Sequence, residues 1–393
     1  MTGVLVVGAG EAAVQLAVSL RQLGYDRPVT LLGAEPRPPY QRPPLSKAYL
    51  AGKADLASLA FRTTDFYRDQ RIEVAAGQRV THVALAGAGG GTATTATGRV
   101  YAFERLALAV GARPRRLAVP GADLAGVHYL RSAADAAGLR DGLAAARRVL
   151  VVGGGLIGLE VAAVARAQGR VVTVAEADDR LMSRVVAPVV SDFYRRAHER
   201  RGVDVRLRTG VTALSGTAGR VTGARLADGS RVAADLVVVA VGVEPRTELA
   251  SQLDLACDRG IVVDACARTS DPAVVAAGDC TAQPNPLTGA GLVRLESVPN
   301  AVAQAKVAAA TLLGRPEPLR TVPWFWSDQY DLKLQIAGLA DGYDAVEVSG
   351  DPESESFAVR YHRAGALLAV NAVNRATDYL TVRRDLSRAT AAR

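Results

Sequence analysis

The sequence predicts an α/β protein with two parallel-sheet units of the same plan, followed by a smaller α+β domain. Short β-branched runs alternate with segments whose apolar residues recur at helical spacing, which is typical of βαβ units. A glycine-rich turn between strand and helix occurs twice, first in GAGEAAVQLA and again in GGGLIGLE. After residue 319 the chain changes to closely spaced strand patterns. The repeated turn therefore predicts two related units.

Composition allows several domains and excludes some classes of protein. The chain has 393 residues, of which 49% are hydrophobic, enough for the cores of two or three domains. It lacks a long uninterrupted apolar run and a secretory leader pattern, so we expect a soluble, cytoplasmic protein with no membrane partner. Cys257, Cys266 and Cys280 are irregularly spaced without a C-x-x-C motif. We expect core thiols, and neither a redox dithiol nor a metal site.

The chain is basic, with 47 Lys and Arg against 39 Asp and Glu and a net charge of +8. Such a balance permits nucleic acid, an anionic cofactor or an acidic protein as partner. Arginines are scattered among acids and no long basic tract occurs, so we do not expect nucleic acid. A solvated surface with no partner remains the alternative explanation of the charge.

The first glycine turn has the features of a dinucleotide site. VLVVGAGEAAVQLAVSLRQLG predicts strand, turn and helix, and PVTLLGAE predicts a second strand that ends at Glu35. Gly8 allows a tight turn, Gly10 lets the backbone approach a pyrophosphate, and Ala13 lets the helix pack on the strand. The helix N-terminus, which includes Ala12, then faces the anion, and Glu35 accepts hydrogen bonds from a ribose.

The second glycine turn repeats the whole arrangement. The residues expected at its phosphate-binding end are Gly153, Gly155, Leu156, Ile157 and Gly158. Glu176 ends the next strand, and a carboxylate there favours the free 2'-hydroxyl of NADH over the 2'-phosphate of NADPH. Arg180 and Arg184 follow closely, which weakens that preference. Two complete sites predict two dinucleotides, with hydride passing between them.

With these motifs in place, the chain resembles the FAD-dependent pyridine nucleotide reductases. Within them it is similar to the ferredoxin reductases that serve bacterial cytochrome monooxygenases and ring-hydroxylating dioxygenases. The stretches that carry the resemblance are PYQRPPLSKAYLAG, LALAVGARPR, VVAAGDC and PWFWSDQYDLKLQIAG. They span essentially the whole chain. The resemblance implies two Rossmann-like dinucleotide-binding domains on a glutathione reductase-like plan, plus a C-terminal α+β domain.

The motifs also set the expected domain order. We expect a discontinuous FAD-binding domain of residues 1–113 and 241–318, an inserted NADH-binding domain of residues 114–240, and a C-terminal domain of residues 319–393 that covers the flavin. AGAGGGTATTATG, at residues 86–98, has the composition of a hairpin or flexible loop. In the last domain, AVEVSG, FAVRYH and ALLAVNAVN read as strands before a short helical end.

The resemblance implies roles for further residues. Lys47 lies beside the flavin and pairs with Glu160, where a cation would stabilise the charge that develops on flavin reduction. The alternative is that Lys47 and Arg42 are solvated cations of a proline-stiffened loop. Asp279 would bind the hydroxyls of the ribityl chain, and the alternative is that it caps a following turn.

Other expected contacts come from shorter motifs. A helix that begins near Val298 would direct its N-terminus at the flavin. Val80 and Arg131 fall where the family contacts the adenosine diphosphate half, and we assign Arg42 to the same cofactor. Trp326 is expected near the flavin and the ferredoxin approach surface, although a buried tryptophan is more often part of a core. Arg184 and Gly242 are assigned to the NADH site.

The sequence therefore predicts an NADH-dependent ferredoxin reductase. Hydride would pass from NADH to FAD, and two single electrons would then pass to an acidic 2Fe-2S ferredoxin in a transient complex that feeds an oxygenase. We expect a monomer or a weak homodimer. The alternatives are an NADH oxidase or other NADH:acceptor reductase, and a non-catalytic NADH-sensing flavoprotein. A disulfide-type enzyme would need a reactive cysteine between Glu35 and Ala60, and none occurs there.

Overall fold

The computed structural model describes residues 2–87 and 90–391. The N-terminal part of the chain forms β1 (Val4–Val7), α1 (Glu11–Gln22), β2 (Val29–Leu32), α2 (Thr64–Asp69), β3 (Ile72–Ala75), β4 (Val80–Leu85), β5 (Gly91–Thr95), β6 (Val100–Phe103), β7 (Arg105–Leu108) and β8 (Ala112–Pro114). A 3₁₀ turn at Pro43–Ser46 lies between β2 and α2.

The next part forms β9 (Val127–Tyr129), α3 (Ala133–Ala145), β10 (Arg148–Val152), α4 (Leu156–Ala167), β11 (Val171–Ala175), α5 (Pro188–Arg200), β12 (Val203–Arg206), β13 (Val211–Thr217), β14 (Arg220–Leu226), β15 (Arg231–Ala233) and β16 (Leu236–Val239). The following segment forms β17 (Val243–Pro245), α6 (Glu248–Gln252), β18 (Ile261–Val262), β19 (Val274–Ala276), β20 (Thr281–Pro284), β21 (Leu292–Val293) and α7 (Val298–Leu312). The last part forms β22 (Trp324–Gln329), β23 (Leu332–Gly338), β24 (Ala345–Asp351), β25 (Ser356–Arg363), β26 (Ala366–Val373) and α8 (Ala376–Ala391).

The first parallel sheet has the strand order β19-β7-β1-β2-β3. All four residues of β1 are buried because layers cover both faces of the sheet. Helices α1 and α7 pack on one face, and the antiparallel sheet β4-β5-β6 packs on the other. Strand β19 joins this sheet from a distant part of the chain, pairing in parallel with β7.

The second parallel sheet has the order β12-β11-β10-β16-β9. Its central strand β10 reads RVLVV, and the four apolar residues are buried. The antiparallel sheet β13-β14-β15 packs on one face, and α4 and α5 pack on the other. The two sheets thus repeat one plan, with each glycine turn between the first strand of a βαβ unit and its helix.

The C-terminal part is an antiparallel sheet of order β22-β23-β26-β25-β24 with α8 against one face. The other face shares a core with α4 and α5, where the ring centroids of Phe193 and Phe357 lie 4.8 Å apart. The predicted fold class, two parallel-sheet units and an α+β domain, is confirmed. The three strands predicted here correspond to β24, β25 and β26. The terminal helix is 16 residues long, longer than the short helical end expected.

Two local expectations had different outcomes. The segment at residues 86–98 contributes β5 to the antiparallel sheet, although residues 88 and 89 lie outside the described part. The expectation of three core thiols is wrong for Cys257, which is exposed, while Cys266 is half-buried and Cys280 is buried. Cys257 lies in a surface turn that bridges back to Ile261, so the usual burial of cysteine does not apply there. Within the described ranges no helix is long and apolar enough to cross a bilayer.

Candidate active site

One large cavity, of about 2280 Å³, is lined by residues of both parallel-sheet units and of β22. A pocket for one small ligand usually measures about 300–1,000 Å³, so this one has space for more than one. The sequence-predicted site residues that line it are Gly8, Gly10, Ala12, Glu35, Arg42, Lys47, Val80, Arg131, Gly153, Gly155, Leu156, Ile157, Glu160, Glu176, Arg184, Gly242, Asp279, Val298 and Trp326.

Each glycine turn combines one closely packed glycine with one open glycine. Gly8 has φ +133°, and a Cβ there would lie 2.2 Å from the carbonyl oxygen of Ala109. Gly153 has φ +102°, and a Cβ there would lie 2.5 Å from the carbonyl oxygen of Ala240, the residue after β16. In contrast, a Cβ on Gly10 or Gly155 would meet no atom within 4 Å. Both open positions face the cavity, so the backbone of each turn is accessible to a ligand.

Ala13 and Gly158 lie behind the turns and do not line the cavity. Ala13 is fully buried in the core beneath α1. A Cβ on Gly158 would lie 2.2 Å from the carbonyl oxygen of Gly153, so this glycine lets α4 approach its own turn. The third position of each motif therefore acts by packing the helix against the strand.

A hydrogen-bonded group of three side chains lines the cavity at the acid that follows β2. It consists of Glu35, Tyr40 and Arg42. The carboxylate of Glu35 accepts a hydrogen bond of 2.7 Å from the Tyr40 hydroxyl and another of 2.7 Å from Arg42 Nη2. Arg42 Nη1 also donates to the carbonyl of Arg131 at 2.6 Å. Burial raises the pKa of Tyr40, so its hydroxyl keeps its proton and donates it. Sequence reasoning missed Tyr40, which stands two residues before Arg42.

A second ion pair, between Arg131 and Asp279, also lines the cavity. Arg131 Nη2 lies 2.8 Å from Asp279 Oδ2, and both side chains are partly exposed to the cavity. Asp279 follows the end of β19, and its carboxylate is directed at Arg131. Nearby, α7 begins at Val298, and its N-cap Ser297 accepts a hydrogen bond from the backbone N–H of Asn300. Ser297 and Val298 line the cavity, so the N-terminus of α7 borders it.

Lys47 and Glu160 form a largely buried ion pair. Lys47 Nζ lies 2.8 Å from Glu160 Oε2, and the exposed fractions of the two side chains are 20% and 4%. Ser46 Oγ donates to Glu160 Oε2 at 2.5 Å, and Ser327 Oγ donates to Oε1 at 2.7 Å. Glu160, which lies on α4, thus links this helix by hydrogen bonds to the 3₁₀ turn and to β22. Lys47 is therefore held in one place and is not a freely solvated loop cation. Both serines were missed, although they stand inside motifs quoted above.

The acid of the second site is held against its own glycine turn. The backbone N–H of Gly154 donates to Glu176 Oε2 at 2.6 Å, and that of Asp178 donates to Oε1 at 2.8 Å. These bonds place the carboxylate at the entrance of the second turn. A ribose hydroxyl at this position would meet an acceptor, and a phosphate would meet a negative charge.

The two arginines that follow Glu176 differ in their freedom to bind an anion. The guanidinium of Arg180 donates to the backbone carbonyls of Val186 and Ser183, each at 2.6 Å. Arg184 is exposed and lines the cavity beside Gly242. A Cβ atom added to Gly242 would lie 3.8 Å from Arg184 Nη2. Only Arg184 of this pair is therefore oriented to contact a ligand.

Further charged residues of the cavity, among them Glu296 and Arg246, were not assigned a role from the sequence. The side chain of Glu296 is 26% exposed and pairs with Arg294 at 2.8 Å. Because it lies below the surface, desolvation raises its pKa, and the positive charge of Arg294 opposes this shift. Burial and nearby like charges lower the pKa of Arg246. Glu296, Arg294 and Arg246 are therefore polar groups of the cavity wall that the sequence motifs did not identify.

The two tryptophans occupy different environments. Trp326 lines the cavity. Trp324 packs towards α8, with the guanidinium carbon of Arg383 4.5 Å from its ring centroid. The two ring centroids are 5.6 Å apart. One tryptophan is thus a packing residue of the last domain, and the other is available to a ligand.

Comparison with known proteins agrees with this geometry. Residues 2–305 match the family model described as pyridine nucleotide-disulphide oxidoreductase, and residues 324–393 match the model described as reductase C-terminal. The chain is 44% identical to the rhodocoxin reductase of Rhodococcus erythropolis, over 98% of this chain and 89% of that protein.

Two solved structures are similar over nearly the whole chain. The ferredoxin reductase for the CYP199A2 system from Rhodopseudomonas palustris has a TM-score of 0.93 at 42% identity, covering 97% of this chain and 93% of that one. The covalent putidaredoxin reductase–putidaredoxin complex has a TM-score of 0.94 at 40% identity, covering 98% and 93%. The resemblance inferred from the motifs is confirmed. With both glycine turns, the shared cavity and these matches, the chain belongs to the pyridine nucleotide-disulphide oxidoreductase family.

Proposed function

We propose that this protein is an FAD-dependent NADH:ferredoxin oxidoreductase that supplies electrons to an oxygenase. The observation that carries the proposal is one cavity that two glycine turns, the Lys47–Glu160 pair and Trp326 all line. Such a cavity brings two dinucleotides together. The names of the relatives support the same activity, since they are reductases of rhodocoxin, putidaredoxin and a ferredoxin.

The residues present fit both cofactors. Gly10 and Gly155 have no side chain on the side that faces the cavity, so a pyrophosphate can approach the backbone of each turn. A larger side chain at either position would occupy the space of the pyrophosphate. We assign FAD to the first turn with Glu35, Arg42, Val80, Arg131, Asp279 and Val298. We assign NADH to the second turn with Glu176, Arg184 and Gly242.

We propose the domain division that the sequence predicts. Residues 1–113 and 241–318 would form the FAD-binding domain, residues 114–240 the NADH-binding domain, and residues 319–393 the C-terminal domain. Support comes from two strand pairings, because β19 joins the sheet of β7 and β17 pairs with β8. Both pairings link the two segments assigned to FAD.

When bound, FAD would supply the chemistry that accepts a hydride from NADH and passes electrons on singly, which nicotinamide alone cannot do. The chain's own residues prepare the site. Glu160 holds the ammonium group of Lys47 at the cavity wall, where a fixed positive charge stabilises negative charge that develops on a bound ring. Glu176 orients a ribose through hydrogen bonds. Trp326 and Val298, at the N-terminus of α7, line the same cavity and would contact the bound cofactors.

The partner we propose is an acidic 2Fe-2S ferredoxin in a transient complex. The net charge of +8 favours a negatively charged protein and speeds its association. We propose a monomer or a weak homodimer, because a single chain supplies both glycine turns and Trp326.

The test is electron transfer from NADH to a purified 2Fe-2S ferredoxin. We expect a yellow protein whose flavin is released by acid precipitation, and ferredoxin reduction that needs both NADH and bound FAD. Omitting the ferredoxin should leave only slow oxidation of NADH by oxygen. Fast NADH oxidation without ferredoxin would instead indicate an oxidase, and salt-dependent retention on DNA with no turnover would indicate a non-catalytic flavoprotein.

A further inference from the structure

A chain of buried hydrogen bonds continues from Glu160 away from the cavity. Ser327, which donates to Glu160 Oε1, accepts a hydrogen bond of 3.2 Å from Gln329 Nε2. Gln329 Oε1 in turn lies 2.9 Å from His198 Nε2. Ser327, Gln329 and His198 are each 0% exposed. The Glu160–Lys47 pair is therefore the cavity end of a longer polar network.

Elementary chemistry fixes the direction of this chain. An amide oxygen only accepts, so the proton of the neutral His198 ring lies on Nε2 and is donated to Gln329. Burial lowers the pKa of His198 to about 4, so the ring is neutral near pH 7. The amide nitrogen of Gln329 only donates, so the Ser327 hydroxyl directs its own hydrogen at Glu160. The reverse direction would leave Glu160 Oε1 facing an oxygen without a hydrogen.

The network joins elements from three parts of the fold. His198 lies near the end of α5, Gln329 and Ser327 lie on one face of β22 because they are two residues apart, and Glu160 lies on α4. Lys47 follows the 3₁₀ turn of the first unit. Along this chain, the loss of the hydrogen bond between His198 and Gln329 would affect the position of Lys47 through Ser327 and Glu160.

We propose that Gln329 and His198 are positioning residues for Lys47, acting through Ser327 and Glu160. Together they fix the Glu160 carboxylate, so that its second oxygen presents one defined site to the lysine ammonium. This inference rests on the proposed function only for the role of Lys47 beside the flavin. The competing explanation is that these bonds merely satisfy buried polar groups, with no effect on the cavity.

The test measures a double-mutant cycle between Gln329→Leu and Glu160→Ala. We expect Gln329→Leu to slow anaerobic flavin reduction by NADH about threefold to tenfold and to shift the flavin midpoint potential to more negative values. In the Glu160→Ala background the same change should have no further effect on rate or potential, because the intermediary is gone. Loss of stability alone would not produce that pattern.

Asn371→Leu is the matched control. Asn371 is also a buried amide, 1% exposed, and it accepts a hydrogen bond from the Tyr361 hydroxyl, and neither residue lines the cavity. We expect its rate and potential to stay at the wild-type values even if the melting temperature falls. His198→Phe removes the ring nitrogens and should reproduce the effect of Gln329→Leu, which covers the case in which that variant fails to fold.

Two results would overturn the proposal. One is a wild-type rate and potential in folded Gln329→Leu or His198→Phe with full FAD content. The other is an equal slowing by Gln329→Leu with and without Glu160. Failure of the proposed function would be distinct, because the wild-type protein itself would then bind no FAD or show no flavin reduction by NADH.

Discussion

At the scale of single residues, the site depends on charges that are held in place. Glu160 accepts hydrogen bonds from Ser46 and Ser327 as well as the ammonium of Lys47. An ion pair in such surroundings costs desolvation, which the added hydrogen bonds offset. An arrangement of this kind gives orientation more than stability, and orientation is what a reacting site requires.

We expect Lys47→Met to slow flavin reduction by NADH by roughly one to three orders of magnitude, the range for loss of a preorganised electrostatic contact. FAD should stay bound, because the first glycine turn and Asp279 do not depend on this side chain. Stopped-flow absorbance under anaerobic conditions measures the rate, and the protein-to-flavin ratio is the control. Glu160→Ala should have a milder effect that does not add fully to that of Lys47→Met. A wild-type rate in Lys47→Met would remove the role given to this cation.

Glu176 should set the preference between the two nicotinamide cofactors. We expect the wild type to favour NADH over NADPH by at least about tenfold in kcat/KM, or about 1.4 kcal/mol. Glu176→Ala should narrow this ratio, since it removes the charge that repels a 2'-phosphate while Arg184 remains. Glu199→Ala, which removes an acid of α5 paired with Arg195, should leave the ratio unchanged. Equal use of both cofactors by the wild type would contradict the assignment.

At the scale of elements, each glycine turn separates a packing function from a binding function. Gly10 and Gly155 have extended backbone with φ of −91° and −79°, which any residue can adopt. Their glycines are thus not needed for the fold itself. Gly158 is different, because a side chain there would collide with the backbone of its own turn.

Substitution by valine should therefore separate cofactor binding from folding. We expect Gly155→Val to keep FAD and to raise the KM for NADH at least about tenfold, whereas Gly10→Val should lose FAD. The melting temperature of both apoproteins should stay close to that of the wild-type apoprotein. Gly158→Val should instead unfold at lower temperature. Flavin absorbance, steady-state kinetics and thermal unfolding measure these effects. Normal NADH binding by Gly155→Val would show that no pyrophosphate lies at that turn.

The glycine turns were predictable from sequence because their requirements are local. A tight turn, an open glycine and a strand-ending acid all fall within one βαβ unit, as for Gly8, Gly10 and Glu35. The support of Glu160 was not predictable in the same way, since its serine partners are 114 and 167 residues distant along the chain. The prediction that Cys257 is a core thiol failed for a different reason. Cysteines are buried on average, but that average carries no information about a particular surface turn.

At the scale of the whole molecule, the C-terminal sheet contributes part of the cavity wall. This sheet shares a core with α4 and α5 on one face and packs on α8 with the other. Strand β22 thereby carries both Trp326 at the cavity and Ser327 at Glu160. Removing this domain would expose a large apolar surface of the second unit.

If the partner is the acidic ferredoxin proposed above, we expect the net charge of +8 to make turnover dependent on salt. We expect kcat/KM for the ferredoxin to fall about tenfold between roughly 0.02 M and 0.2 M ionic strength, because screening weakens charge-steered association. Menadione, a neutral acceptor, should be reduced at nearly the same rate at both ionic strengths. A ferredoxin rate that does not change with salt would argue against charge-guided docking.

The pairing of β19 with β7 has a consequence for biosynthesis. Val274 lies opposite Leu106, so the first sheet stays incomplete until the ribosome has made the entire second sheet. At about 5–20 residues per second, this delay is on the order of ten seconds or more. The second unit, whose sheet is formed by one continuous stretch, can fold in that interval while β7 keeps an unpaired edge. An open apolar edge is a template for wrong pairing, and we expect the nascent chain to bind chaperones at this stage.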